Sequence, residues 1–184
     1  MPSNPAPGAL DLVRRFVNTV DLEDGSDELG DPERLGAWLA ANGLAAPGEP
    51  FSAADAERAR AVREALRALL HANAGHGLRP AAVEELNRAA GGASLVVRFG
   101  PGGRAGLEPQ AGGVERAVAR LLAVAHTATV DGTWARLKAC ANEGCQWAFY
   151  DHSKNRSGRW CTMETCGNTV KARTYRQRRR TPQG

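Results

Sequence analysis

Four cysteines stand in this sequence, as CANEGC (Cys140 and Cys145) and CTMETC (Cys161 and Cys166), with fifteen residues between the two pairs. Two close pairs suit a tetrahedral zinc ion. Each tight turn offers two sulfurs, and the intervening segment folds the second turn back onto the first. Four thiolates leave no position for water, so a single zinc here has a structural role and holds together a segment too small to build its own core. Metal binding to such peptides is worth roughly 10–16 kcal/mol near neutral pH. Two disulfides, or four unrelated buried thiols, are the competing readings. A redox dithiol fits less well, because neither pair has the two-residue spacing of that chemistry. His152 lies between the pairs as a candidate substitute ligand.

Charge divides the chain at nearly the same place. Residues 137–184 hold 10 of the 24 Lys and Arg but only 3 of the 20 Asp and Glu. A basic segment behind a mildly acidic body is the pattern expected when one end meets a polyanion, nucleic acid first. A solvated basic tail is the plain alternative. No apolar run approaches the ~18 residues of a membrane helix, and MPSNPAPGA has neither a positive start nor a greasy stretch. The expectation is a cytoplasmic protein with no membrane partner, and in that reducing compartment clustered cysteines favour metal over bridges.

Ahead of the cysteines the pattern is helical. Leu12, Val13, Phe16, Val17 and Val20 recur at three- and four-residue intervals from Leu10. Asp31-Pro32 reads as an N-cap with Pro at the first helical position, followed by Leu35, Trp38 and Leu39 as a buried face. Ser52 with Asp55 resembles a capping box, opening a long helix that buries Ala59, Val62, Leu66, Leu69 and Leu70 before Gly75. Arg79-Pro80 starts a shorter helix through Val83 and Leu86. SLVVRF (94–99) and a stretch around Leu107 predict a β-hairpin about GPGGRAG, which lacks the spacing and following helix of a phosphate loop. Val114, Val118, Leu121, Leu122 and Ala125 carry one more helix.

Between the cysteine pairs, QWAFYD and RSGRW predict two short strands, with Trp147, Phe149 and Trp160 as a miniature core. Four thiolates on a divalent cation leave a formal charge of −2, and Lys138, Arg159 and the helix start after Cys166 are placed to stabilise it.

LKACANEGCQWAFYDHSKN followed by WCTMETCGNTVKARTYRQRRR resembles the CGNR-type zinc finger over residues 136–180. That resemblance implies a bacterial treble-clef finger in which Cys140, Cys145, Cys161 and Cys166 are the ligands of one zinc. Thr169 departs from it, since the motif calls for Arg after Cys166, Gly167 and Asn168. Upstream, FVNTVD (16–21) and DPERLGAWLAANGL are similar to the ABATE domain, over residues 9–134, a family of stress-induced transcription regulators. The expected class is therefore α+β: a mainly helical N-terminal domain with a small hairpin, then the finger.

Helical spacing from Asn168 places Thr169, Arg173, Arg176 and Arg180 on one face, with Lys171, Tyr175 and Arg178 or Arg179 beside it. About 18 Å of helix presents six cations. That suits phosphates along double-stranded DNA, with Arg176, Gln177 and Lys171 also in reach of base edges. The expected function is a DNA-binding transcription regulator whose N-terminal domain senses a small molecule or forms a homodimer. A zinc-stabilised RNA- or protein-binding module is the alternative. No catalysis is expected: His71, His76 and His126 are scattered, and Asp11, Asp21 and Asp24 pair only by accident of folding. His126, on an apolar helical face, reads as a core residue.

Overall fold

The long helix α3 (Ala53–Asn73) organises the molecule, and its start is fixed locally. Ser52 and Asp55 form the capping box, each side chain satisfying the other's backbone N–H. The structure, a computed structural model, describes residues 5–173. Within them α1 (Leu10–Val17), α2 (Pro32–Ala41), α4 (Pro80–Gly92) and α5 (Gly113–Val130) surround α3, and α2, α4 and α5 begin where their Pro or Gly signals stand. Asp31 accepts the N–H of Arg34 at 2.9 Å to cap α2. None of the helices among the described residues is long and apolar enough to cross a membrane.

Ala56, Ala59, Val62, Leu66 and Leu70 of α3 meet Leu10, Val13, Phe16, Val17, Leu35, Leu39, Val118 and Leu121 in one core. A smaller seam joins Ala65 and Ala68 of α3 to Ala82 of α4, with Leu69 and Leu86 at its edge. Alanines let these two helices approach closely, and Val83, expected inside, is turned out to solvent instead. The predicted hairpin is present as β1 (Leu95–Phe99) and β2 (Ala105–Pro109), antiparallel with Val97 opposite Leu107. GPGGRAG is its turn, with Gly103 at φ +72°.

The stripe expected to run on to Val20 stops earlier. Helix α1 ends at Val17, and Val20 instead forms an isolated bridge with Asp27. The cause lies in α3, which is so central that Arg63 and Arg67 are buried with its apolar residues. Arg67 donates to the Val17 carbonyl at 2.7 Å, capping the last turn of α1 with a cation. Arg63 grips both oxygens of Asp27 at 2.6 and 2.9 Å and the Thr19 hydroxyl at 3.2 Å. Burial by itself raises the Asp27 carboxyl, but Arg63 and the Leu29 N–H outweigh it and hold it below its ordinary value. The acidic loop is thereby pinned to the core.

A second hairpin follows α5 and a single 3₁₀ turn: β3 (Leu137–Ala139) and β4 (Ala148–Tyr150), antiparallel, with Leu137 opposite Tyr150 and Ala139 opposite Ala148. Period-two alternation gives it two faces. Leu137, Ala139, Ala148 and Tyr150 enter the main core, while Phe149 joins Cys140 in a separate cluster. The segment expected to depend on metal alone therefore shares one face of its hairpin with the helical body. RSGRW, expected as a strand, forms none.

Asn18 completes this junction. Its Nδ2 donates to the Ala148 carbonyl at 2.9 Å and its Oδ1 accepts the Ala148 N–H at 2.7 Å, so one side chain replaces a neighbouring strand. All four atoms are buried. Asn18→Ala strands the Ala148 N–H and C=O without partners and is expected to cost about 2–4 kcal/mol of stability in urea unfolding.

Candidate metal centre

The stretch from Cys140 to Gln146 folds into a tight knuckle because Asn142 supplies most of its bonds. The Asn142 carbonyl accepts the N–H groups of Cys145 at 2.9 Å and Gln146 at 3.0 Å, and its side-chain oxygen takes that of Gly144 at 3.3 Å. Cys140 N–H reaches the Trp147 carbonyl at 2.9 Å, closing the turn onto β4. Of the second pair, Cys166 sits on a wide helical turn, Met163–Gly167, and Cys161 just ahead of its cap, Thr162, whose hydroxyl accepts the Thr165 N–H at 3.3 Å. Gly167 keeps this turn tight: a Cβ would lie 2.8 Å from the Met163 sulfur and 3.1 Å from the Trp160 ring, so the exposed Met163 side chain would have to move aside.

The two turns bring all four sulfurs within 4.8 Å of one another. Cys145 lies 3.7 Å from Cys161, and Cys161 lies 3.6 Å from Cys166, with no disulfide formed. Zinc–sulfur bonds of about 2.3 Å in a tetrahedron place sulfurs ~3.8 Å apart, so the donor set and its spacing fit a zinc ion. Thiols this close cannot all ionise unaided. Hydrogen bonds from Cys145 and Cys161 lower Cys140 to about 2, and the Cys140 contact pushes Cys145 up to about 12. A divalent cation is what would let all four bind as thiolates. Phe149, Trp147 and Trp160 pack about the sulfurs, as the sequence predicts.

The neighbours expected to stabilise the charge are partly others. Asn142 donates its amide to the Cys166 sulfur at 3.5 Å. Lys138 is buried but fully engaged elsewhere, with Asp151 at 2.8 Å, the Gly158 carbonyl at 3.3 Å and the Arg156 carbonyl. Arg159 lies over the Trp160 ring at 5.5 Å. The Lys138 contacts also explain why RSGRW forms no strand. Its Arg156 and Gly158 carbonyls are taken by Lys138, that of Arg159 by the Ala141 N–H at 2.9 Å, and the Gly158 N–H by Asp151 at 2.8 Å, leaving little for a ladder. A side chain at position 158 would strike the Asp151 carboxylate at 2.8 Å. His152 bonds the Pro5 carbonyl at 3.1 Å and stacks on Tyr150, so it is not a fourth or fifth ligand.

Gln146, which the sequence does not single out, ties the knuckle to the body. It adopts φ +50°, and every polar group it has is used. Its carbonyl accepts from Arg67 at 3.0 Å, its Oε1 meets His71 Nε2 at 3.0 Å, and its Nε2 donates to Glu143 at 2.9 Å. His71 is thus structural, and burial lowers its pKa. His76 meets it edge-on, whereas His126, expected in the core, is exposed on α5. Asp11 pairs with Arg14, and Asp21 and Asp24 cap turns at the Glu23 and Ser26 N–H groups, so no carboxylate pair forms.

Helix continues from the second turn through residues 168–173, with Thr169, Lys171 and Arg173 exposed. Tyr175, Arg176, Gln177, Arg178, Arg179 and Arg180 lie outside the described residues. The ABATE family model, "Putative stress-induced transcription regulator", matches residues 10–132, and the CGNR zinc finger model matches residues 136–179. No curated protein matches the chain.

Burial by itself raises the Asp151 carboxyl, but hydrogen bonds from Lys138, Ser153 and Gly158 hold it down to about 2. The folded value is below the unfolded one, so this stabilisation is complete above about pH 4 and is lost as pH falls through about 2. Lys138→Met leaves a buried carboxylate alone and is expected to cost about 3–5 kcal/mol at neutral pH in thermal or urea unfolding. Lys138→Met/Asp151→Leu should recover much of that loss.

Proposed function

The chain belongs to the ABATE family and carries a CGNR zinc finger behind that domain, and from that premise we propose that it is a cytoplasmic, DNA-binding transcription regulator without catalytic activity. Cys140, Cys145, Cys161 and Cys166 hold one zinc in a structural role. The helical body senses a small molecule or dimerises, and the segment after Cys166 reads duplex DNA in the manner of a treble-clef finger.

One arrangement carries this reading. The cluster that gathers four sulfurs also fixes the start of the helix that exposes Lys171 and Arg173. The sequence then continues TYRQRRR, which brings the cations from 171 to 180 to six. Lys171, Arg173, Arg176, Arg178, Arg179 and Arg180 neutralise phosphates, each releasing counterions. Arg176 and Lys171 can pair with guanine and Gln177 with adenine. With Thr169 in the motif's arginine position, these residues carry the contact alone. The acidic remainder of the chain keeps the body off the polyanion and leaves binding to one end.

Three measurements test this. Elemental analysis of the purified chain is expected to give one zinc, and Cys166→Ser to lose it together with thermal stability. Six phosphate contacts predict that duplex affinity falls about a thousandfold between about 50 and 200 mM salt. Selection from mixed DNA and RNA pools is expected to enrich duplex DNA, and enrichment of single-stranded RNA alone would overturn the reading.

A further inference from the structure

Away from the sulfurs, a cleft of about 840 Å³ opens between α1, α2 and the loop joining them, and Trp147 of the finger forms one wall. That volume lies within the range of small-molecule sites. Its floor is aromatic and its rim cationic. Trp38 is only 8% exposed and packs on Phe16 at 5.5 Å between ring centroids. Neither its indole N–H nor that of Trp147 makes a hydrogen bond within the described residues, and neither nitrogen is a buried unpaired atom, so both donors are open to solvent.

On the rim, Arg15 and Arg34 keep 48% and 62% of their side chains exposed. Their carboxylate partners, Asp11 at 3.4 Å and Asp31 at 3.3 Å, are long pairs one turn away, and Arg15 also bonds the Asn42 side-chain oxygen and Arg34 the Asp27 carbonyl at 3.3 Å. Such pairs are weak and yield readily to a better anion. Of the two acids lining the cleft, Asp27 is already spent on Arg63, and exposed Glu28 sets one negative charge against the guanidinium groups of Arg15 and Arg34. The balance facing a ligand is positive.

We propose that this cleft binds a small aromatic carboxylate, its ring against Trp147 and the exposed edge of Trp38 and its carboxylate on Arg15 and Arg34. Guanidinium groups match a carboxylate in two-pronged geometry, and Trp147 supplies flat area while both indoles offer a donor. The position also gives the ligand a route to the metal centre. Asn18 lines the cleft and holds Ala148, while Arg67 and His71 hold Gln146. Trp147 lies between those two anchors, two residues from Cys145. An occupant that seats Trp147 therefore orders the knuckle and β4 together. This gives the sensing role proposed above its place and ligand class, and it rests on that reading; its test uses no DNA.

The zinc-loaded full chain is titrated with salicylate and indole-3-carboxylate, using tryptophan fluorescence and calorimetry, with benzamide and cyclohexanecarboxylate as controls. One probe per chain is expected, quenching the fluorescence, with both controls at least about tenfold weaker. Arg15→Gln/Arg34→Gln should weaken the probe by about tenfold or more while leaving thermal unfolding unchanged, and Arg34→Gln alone serves if the pair of changes harms folding. Amide exchange is expected to slow in residues 145–150 when a probe binds. No binding at about 10 mM, or binding indifferent to the arginines or to the ring, overturns the site. Binding without slowed exchange overturns the route to the finger. Probes that bind a chain with no affinity for DNA would leave the cleft standing and sink the regulator reading instead.

Discussion

Arg67 is the side chain on which the rest of this structure turns. It is 3% exposed, and its guanidinium spans the carbonyl that ends α1 and the carbonyl of Gln146 in the knuckle. A buried cation is costly unless its nitrogens are paired, and here Glu64 takes the third of them, Nε, at 3.0 Å. The arginine thus fixes three elements at once: the end of α1, the face of α3 and the placement of the first cysteine pair. Asn18 adds the matching constraint on β4. The placement of the metal centre consequently depends on contacts that reach back 79 and 130 positions along the chain.

Local signals explain what could be read without coordinates. Capping at Ser52 and Asp31, prolines at first helical positions and the glycine-bounded run at 94–99 each act within a few residues, so their outcome is visible in the chain. Cysteine pairs are similarly local, since each turn builds itself around Asn142 or Thr162. The failures came from distant partners. Val20 leaves its helical stripe because Arg67 and Asn18 end the helix first. Val83 faces solvent because alanines set the α3 to α4 distance. RSGRW loses its strand to a lysine that its place near Cys140 would assign to charge balance at the sulfurs.

The same division runs through the metal centre. Its ligands announce themselves by spacing, but Gln146, Asn142 and Asn18 carry no mark in the sequence. Each works through an amide that meets backbone groups, and amide side chains are common on ordinary surfaces. FVNTVD supports a resemblance without revealing that its asparagine clamps a strand 130 residues away. Lys138 shows the converse, a residue whose proximity to Cys140 in sequence says nothing about where its ammonium goes.

The hairpin of β3 and β4 has a consequence for how such chains can diversify. One face is apolar lining for the helical body and the other is packing for the sulfurs, so neither half owns it. Recombination that swaps the C-terminal quarter between relatives must carry a compatible Leu137, Ala139, Ala148 and Tyr150, or else shuffle whole proteins. Modular exchange, the usual evolutionary freedom of small metal-bound units, is here restricted by a shared seam.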